Sequence, residues 1–301
     1  MNILQNIFSI TNKESKNNKI YKVITICGIK FKFLNKYKTL LKFIDINNNK
    51  TSELKDFVKN NNKVLSNILD NKVIENQKYI KIQNDELIYA NVFNSSILNS
   101  EWLKDKSFML IKGASNYSFM FNLYYILDEI KPENILEFGL GQTSKMTTQY
   151  ANYFAKSLKI VDHNREWIDI FSKKINLSDR INIIHKNLIN IEINEVVSDK
   201  YELLDDITSN NKFDLIIIDG PIGVKRKYPR TNVLDLIPQN IDSKNFIIIL
   251  DDAEREGETN TANLIFKKLE DNNIKYLKSY KVGLKTQLII TSEQYEFLKW
   301  M

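Results

Sequence analysis

Acidic residues recur where apolar runs end. "FDLIIIDGP" closes on Asp219, and "NFIIILDDAERE" closes on Asp251 and Asp252. Further upstream, "ILEFGLGQTS" sets Glu137 ahead of a Gly139-Leu140-Gly141 turn, and "LKIVDHN" ends on Asp162, 25 residues after Glu137. Glycines let a backbone approach a ligand without obstruction from a Cβ, and a helix starting near Thr143 presents free N–H groups. A dinucleotide fingerprint needs a third glycine where Ser144 stands, and the G-x-x-x-x-G-K-[ST] phosphate loop is absent. Glu137 would repel a pyrophosphate but suits a ligand carrying a cationic amino-acid group. The later acids are hard oxygen donors without histidine or cysteine, the set that suits Mg²⁺, Mn²⁺ or Ca²⁺. Two like charges about 4 Å apart cost roughly 4 kcal/mol at an effective dielectric near 20. A convergent cluster therefore needs a cation, a proton or a basic partner.

The elements that must position these residues alternate from residue 133 onward. Strands are expected at 134–138, 158–162, 181–185, 213–219 and 245–251, with helices near 143–156, 164–175, 231–240 and 257–271. A closing hairpin at 275–282 and 286–291 turns near Gly283. Continuous apolar strands imply a parallel sheet covered on both faces. The expected fold is α/β: a Rossmann-like, doubly wound sheet of seven strands with the last antiparallel. In such a sheet ligands sit at the carboxyl ends of the strands. Three regions are expected: a basic arm with a β-hairpin over 1–50, a mostly helical extension over 51–130 packing on the core, and the ligand-binding domain over 131–301. The apolar helix of "SNYSFMFNLYYILDEIKPE" stops before Pro132 and offers Phe119, Phe121, Tyr124, Ile126 and Leu127 to that core.

The pattern "ILEFGLGQTS" followed by Asp162 resembles the class I S-adenosylmethionine (SAM)-dependent methyltransferases over residues 133–292. The resemblance implies a SAM site formed by Glu137, Gly139, Gly141, Gln142, Thr143, Ser144, Asp162 and His163, with the Asp162 carboxylate on the ribose hydroxyls. It also implies that the fourth and fifth strands are neighbours, so that Asp219, Asp251 and Asp252 converge. That arrangement is similar to metal-dependent small-molecule and sugar O-methyltransferases. It implies Asp219, Asp251 and Asp252 as ligands of Mg²⁺ or another divalent cation, with Asp219, Asp251 and Lys225 as catalytic candidates. The base expected three residues beyond the first Asp is replaced by Ile222, leaving Lys225 or Arg226 to reach in. The plainer reading has Asp219 and Asp251 capping strand ends and Asp252 paired with Arg255. His163 is expected on the adenosine side, and His185 near the adenine.

Charge and composition bound the rest. Of 301 residues 43 are basic and 37 acidic, but ten lysines and only two acids fall within residues 1–50. The basic character therefore belongs to the arm, where "KIYKVITICGIKFKFLNKYK" alternates as a hairpin turning at Cys27-Gly28. Its lysines protect an edge strand or meet an anionic membrane or acidic glycan carrier. Without arginine or a base-reading motif, nucleic acid is not an expected partner. In "GPIGVKRKYPRTN", Lys225, Arg226, Lys227 and Arg230 form a solvated loop or an anion clamp for a phosphate-bearing acceptor. A single cysteine excludes an internal disulfide framework, and the N-terminus lacks the features of a signal peptide. The expected protein is a cytoplasmic methyltransferase, in reach of the inner membrane face through its arm. Its expected acceptor is a small molecule, a sugar or nucleotide sugar destined for a surface glycan. The alternative is a non-catalytic scaffold on the same fold.

Overall fold

The computed structural model describes residues 8–14, 20–26, 29–34, 51–110, 115–202, 204–209 and 211–300. The chain divides into two units, Met1–Asn76 and Gln77–Met301. The first holds a three-stranded antiparallel sheet of β1 (Phe8–Glu14), β2 (Ile20–Ile26) and β3 (Ile29–Leu34), in that order. The expected hairpin is two of these strands, with Ile26 opposite Ile29; Cys27 and Gly28, the expected turn, lie outside the described residues. Edge strand β3 sets Lys32 opposite Val23 and Lys30 opposite Thr25, and the Lys32 ammonium lies 4.2 Å from the Tyr21 ring centroid. Helix α1 spans Thr51–Ile97, and its residues from Gln77 on belong to the second unit.

The second unit continues with α2 (Tyr117–Tyr125) and a π-helical turn at Ile126–Ile130, closed by Lys131 in the left-handed region before Pro132. The alternation then runs β4 (Asn134–Phe138), α3 (Gln142–Phe154), β5 (Ser157–Asp162), α4 (Arg165–Ser172) and β6 (Ile181–His185). After a hairpin of β7 (Leu188–Ile193) and β8 (Val196–Tyr201) come α5 (Asp205–Thr208), β9 (Leu215–Ile218), α6 (Val233–Leu236) and β10 (Ile247–Leu250). Helix α7 (Glu256–Asp271), β11 (Leu277–Val282), β12 (Thr286–Thr291) and a 3₁₀ segment at Glu293–Trp300 close the chain.

The main sheet has the order β11-β12-β10-β9-β4-β5-β6, and only β12 runs against the others. It is a Rossmann-like sheet, with the seventh strand inserted antiparallel between the fifth and sixth. The central strands "LIII" and "IIIL" are buried at every position, because each face is covered. Successive side chains alternate between two cores. Ile135, Ile160, Ile217 and Ile249 meet Phe119, Leu123 and Leu127 on one face. Leu136, Val161, Ile216 and Ile248 meet Leu236, Ile265 and Leu269 on the other. The apolar residues 119–127 thus form core, as their spacing predicts.

Two departures from the expected elements have local causes. The helix expected over 231–240 is a single turn, because Ile237 precedes Pro238 and takes an extended conformation (ψ 126°). The β7–β8 hairpin was not expected. It turns on Asn194 and Glu195, both with positive φ (48° and 64°), the pairing that a two-residue turn matched to strand twist requires. Among the described residues no helix is long and apolar enough to cross a membrane. Ile217, fully buried at the centre of the sheet, gives a direct test of the packing. Ile217→Ala should lower unfolding free energy by about 2–5 kcal/mol in denaturant titrations. A loss below about 1 kcal/mol would contradict a close-packed centre.

Candidate active site

Strands β4 and β9 end against one another, and two glycines permit it. Gly139 has φ 98°, and a Cβ there would lie 2.8 Å from the Asp219 backbone. At Gly220 a Cβ would lie 2.7 Å from the Gly139 Cα and 2.6 Å from the Tyr201 hydroxyl. The chains then diverge around a cleft of about 620 Å³ at the carboxyl ends of β4, β5 and β9. Gly139, Gly141, Gln142, Asp162, His163 and Asp219 all line it. A Cβ on Gly141 would meet nothing within 4 Å, so this second glycine borders open space. From outside the alternating region, Met109 and Ser115 also line the cleft, and Gln142 Oε1 accepts the Met109 N–H (3.0 Å).

Glu137, expected to help hold the cofactor directly or through water, is not among the residues that line the cleft. Its carboxylate is fully buried and accepts hydrogen bonds from the Thr143 (2.6 Å), Ser144 (2.8 Å) and Thr147 (2.7 Å) hydroxyls. The Thr143 and Ser144 side chains are therefore also turned to the interior. Ser144 Oγ in addition accepts the Gly141 N–H (3.0 Å). Together these bonds fasten the first turn of α3 to the end of β4. Burial pushes the Glu137 carboxyl up to about 7, against the three hydroxyls that lower it.

Asp162, at the tip of β5, is 7% exposed and faces the cleft. Its Oδ2 accepts the Leu140 N–H (2.9 Å) and its Oδ1 the Asn164 N–H (2.7 Å), so the carboxylate is fixed with lone pairs to spare. His163 lines the cleft beside it, whereas His185 does not and donates from Nε2 to the His163 carbonyl (3.0 Å). Trp167 was not anticipated. Its indole donates to the Leu140 carbonyl (2.7 Å) and its ring borders the cleft. A tryptophan near the start of the helix expected at 164–175 was the available signal.

The three later acids do converge: ligand atoms of Asp219, Asp251 and Asp252 lie within 4.8 Å of one another. Their compensation is basic side chains. Arg230, 4% exposed, reaches Asp252 (2.8 Å), Asp219 (3.4 Å) and Glu258 (3.8 Å), and donates to the Asp251 carbonyl (2.9 Å). Arg255 pairs with Asp252 (2.7 Å), as the plainer sequence reading has it. Lys285 reaches Asp251 (3.2 Å) and Asp252 (3.4 Å), and Gln287 donates to Asp251 (2.8 Å). Both oxygens of Asp251 and Oδ2 of Asp252 accept hydrogen bonds, Asp252 Oδ1 accepts none but has Arg255 and Lys285 beside it, and an ion among them would sit against a guanidinium and an ammonium. The side chains present do not fit a resident divalent cation.

Lys225 is corrected as well. It is exposed on the 220–230 loop and is not among the cleft's lining residues. The lysine beside the acids is Lys285, brought there because β12 runs antiparallel to β10 and so begins where β10 ends. Burial works against its charge, but Asp251, Asp219 and Asp252 outweigh burial and raise its pKa. Asp219 and Asp252 both line the cleft, and Asp219 is the more exposed of the two. Burial, reinforced by the Asp251 charge, raises its carboxyl well above the usual range, against Arg230 and Lys285.

A buried polar chain also ties the cluster to the helical extension. The Glu86 carboxylate on α1 accepts from Asn116 Nδ2 (2.8 Å) and from the Tyr117 (2.5 Å) and Leu284 (2.9 Å) N–H groups. Gln287 donates both to Asn116 Oδ1 (3.0 Å) and to Asp251.

No family model and no curated protein sequence matches the chain. Solved structures do. A putative caffeoyl-CoA O-methyltransferase from Staphylococcus aureus is 14% identical, covering 68% of this chain and 100% of that one at a TM-score of 0.42. Precorrin-6y C5,15-methyltransferase from Geobacter metallireducens is 14% identical, covering 63% and 95% at 0.41. A Podospora anserina methyltransferase bound to S-adenosylhomocysteine (SAH) is 13% identical, covering 70% and 89% at 0.39. At such low identity and overlap these likenesses carry no weight; the fold rests on strand order and register.

Glu137 yields a pH signature. Its carboxyl binds a proton more tightly folded than unfolded, where 4.5 is the ordinary value. The stability this gives is full below about 4.5 and is lost as pH rises through about 7, by at most about 3 kcal/mol. Urea titrations at several pH values should show wild type losing stability relative to Glu137→Gln over that interval. A difference that stays flat, or grows with pH, would contradict the buried-carboxyl geometry.

Proposed function

We propose that the protein is a SAM-dependent O-methyltransferase acting on a hydroxyl of a sugar or surface-glycan precursor. The observation that carries this reading is the Asp162 carboxylate, fixed by two backbone N–H groups and open to a cleft that Gly139 and Gly220 make possible. Asp162 would hold the two ribose hydroxyls by charge-assisted hydrogen bonds, about 1.5–3 kcal/mol each. Backbone from Gly139 to Gln142 lies along one wall, with His163 and Trp167 beside the nucleoside. SAM supplies, when bound, an electrophilic methyl group.

Asp219 is the chain's group for the acceptor. It faces the cleft, and burial raises its carboxyl well above the usual range, which makes it a stronger proton acceptor than a solvated carboxylate. As the acceptor oxygen bonds to the methyl carbon and the sulfur–carbon bond breaks, the hydroxyl proton passes to Asp219. Arg230 and Lys285 hold the neighbouring acids in place and limit the charge that Asp219 feels. Transfer is in-line, so holding the acceptor oxygen along that axis is worth about 7–11 kcal/mol. A polyhydroxylated acceptor suits a cleft floored by a carboxyl and by the backbone of the 220–224 loop. No step needs a divalent ion.

Calorimetry tests the donor assignment: wild type should bind SAM and SAH, and Asp162→Ala should weaken both about a hundredfold. Absence of binding to wild type at high micromolar concentration would remove the reading. For the ion, thermal unfolding in Mg²⁺ and in EDTA should coincide. A Tm raised by Mg²⁺ and lost with EDTA would reinstate a metal site.

A further inference from the structure

A second groove, of about 700 Å³, opens between the loop at 223–227 and the start of α7. It shares Gly223, Val224 and Arg255 with the cleft, so the two are continuous. Gly257 sets this geometry, since a Cβ there would lie 2.4 Å from the Arg226 carbonyl; the loop is seated on the first turn of α7. The first N–H groups of that helix have no intrahelical partner. Lys225, Arg226, Lys227 and Arg255 face the groove, with Glu256 and Glu258 as its acids. Arg226 is held by Asp199 (2.5 Å) and Arg255 by Asp252 (2.7 Å). Among the described residues no carboxylate lies within 4.0 Å of the Lys225 or Lys227 ammonium. Lys225 moreover sits in the left-handed region (φ 67°), a conformation that costs a side-chain-bearing residue roughly 1–2 kcal/mol.

Glu258 also lines the groove. It is fully buried at the groove, and neither oxygen accepts a hydrogen bond; its nearest cations, Arg230 and Arg255, are each 3.8 Å away. Burial raises its carboxyl above the usual range, against Arg230 and Arg255.

We propose that this groove binds a phosphate or pyrophosphate group of the acceptor, with Lys225 and Lys227 as its cations. The assignment to the acceptor rests on the methyl-transfer reading above. Arg230, grouped with these cations from sequence, does not belong to the groove, because it is buried among the acids.

The full-length chain, with Lys225→Ala, Lys227→Ala and the double variant, can be titrated with inorganic pyrophosphate and, separately, with SAH. Pyrophosphate should bind wild type, weaken on going from about 50 to about 300 mM salt, and lose at least about tenfold in the double variant. SAH affinity should be the same in all four proteins. Pyrophosphate binding that is absent, or equal in wild type and double variant, overturns the proposal. SAH failing to bind any of them overturns the methyl-transfer reading instead, whatever pyrophosphate does. Competition by UDP-glucose identifies a soluble acceptor and competition by vesicles carrying undecaprenyl phosphate a lipid-linked one; competition by neither overturns the assignment to an acceptor.

Discussion

Four carboxyl groups meet at the ends of two adjacent parallel strands, and most of the site's architecture follows from making that burial tolerable. Asp251, Asp252 and Glu258 are essentially without solvent contact, and Asp219 is open only toward the cleft. Each like-charge pair at contact distance opposes folding by roughly 4 kcal/mol at moderate dielectric. Arg230 lies among them, and its guanidinium reaches three of the four. Leaving such acids without their partner typically costs about 3–5 kcal/mol. The loop after β9 therefore folds back until Arg230 is buried, and the terminal hairpin delivers Lys285 to the other side of the same acids.

The same requirement joins the extension to the cleft end of the sheet. Asp251 accepts from Gln287, Gln287 bonds Asn116, and Asn116 bonds Glu86 on α1. Glu86 also takes the Leu284 N–H, one residue before Lys285. Residues outside the alternating α/β region thus fix the turn that carries a charge of the cluster. On the opposite wall of the cleft the fixing group is Glu137, which binds three hydroxyls of α3 and so sets where Gly141 and Gln142 face.

Much of this was legible. Strands 134–138, 181–185 and 286–291 are where the apolar runs put them, because β-branched runs bounded by acids and glycines leave few alternatives. Asp162 was legible because an acid at a strand end after a Gly-x-Gly turn has one geometric outcome. Glu137 was legible in type but not in direction. A strand buried on both faces gives no polar alternation to say which way its acid points, although hydroxyls at 143, 144 and 147 were a signal. Arg230 was read with Lys225 and Lys227, since sequence proximity to a basic loop says nothing of burial. Lys285 and Gln287 lie more than thirty residues from the acids they serve. Only the antiparallel course of β12, carried through to its consequence, would have placed them at the end of β10.

A crystal structure of the protein with SAH tests the central claim most directly. The ribose hydroxyls should lie within hydrogen-bond distance of the Asp162 carboxylate, with the sulfur directed toward Asp219. A nucleoside bound elsewhere, or an Asp162 still bonded only to the Leu140 and Asn164 N–H groups, would contradict it.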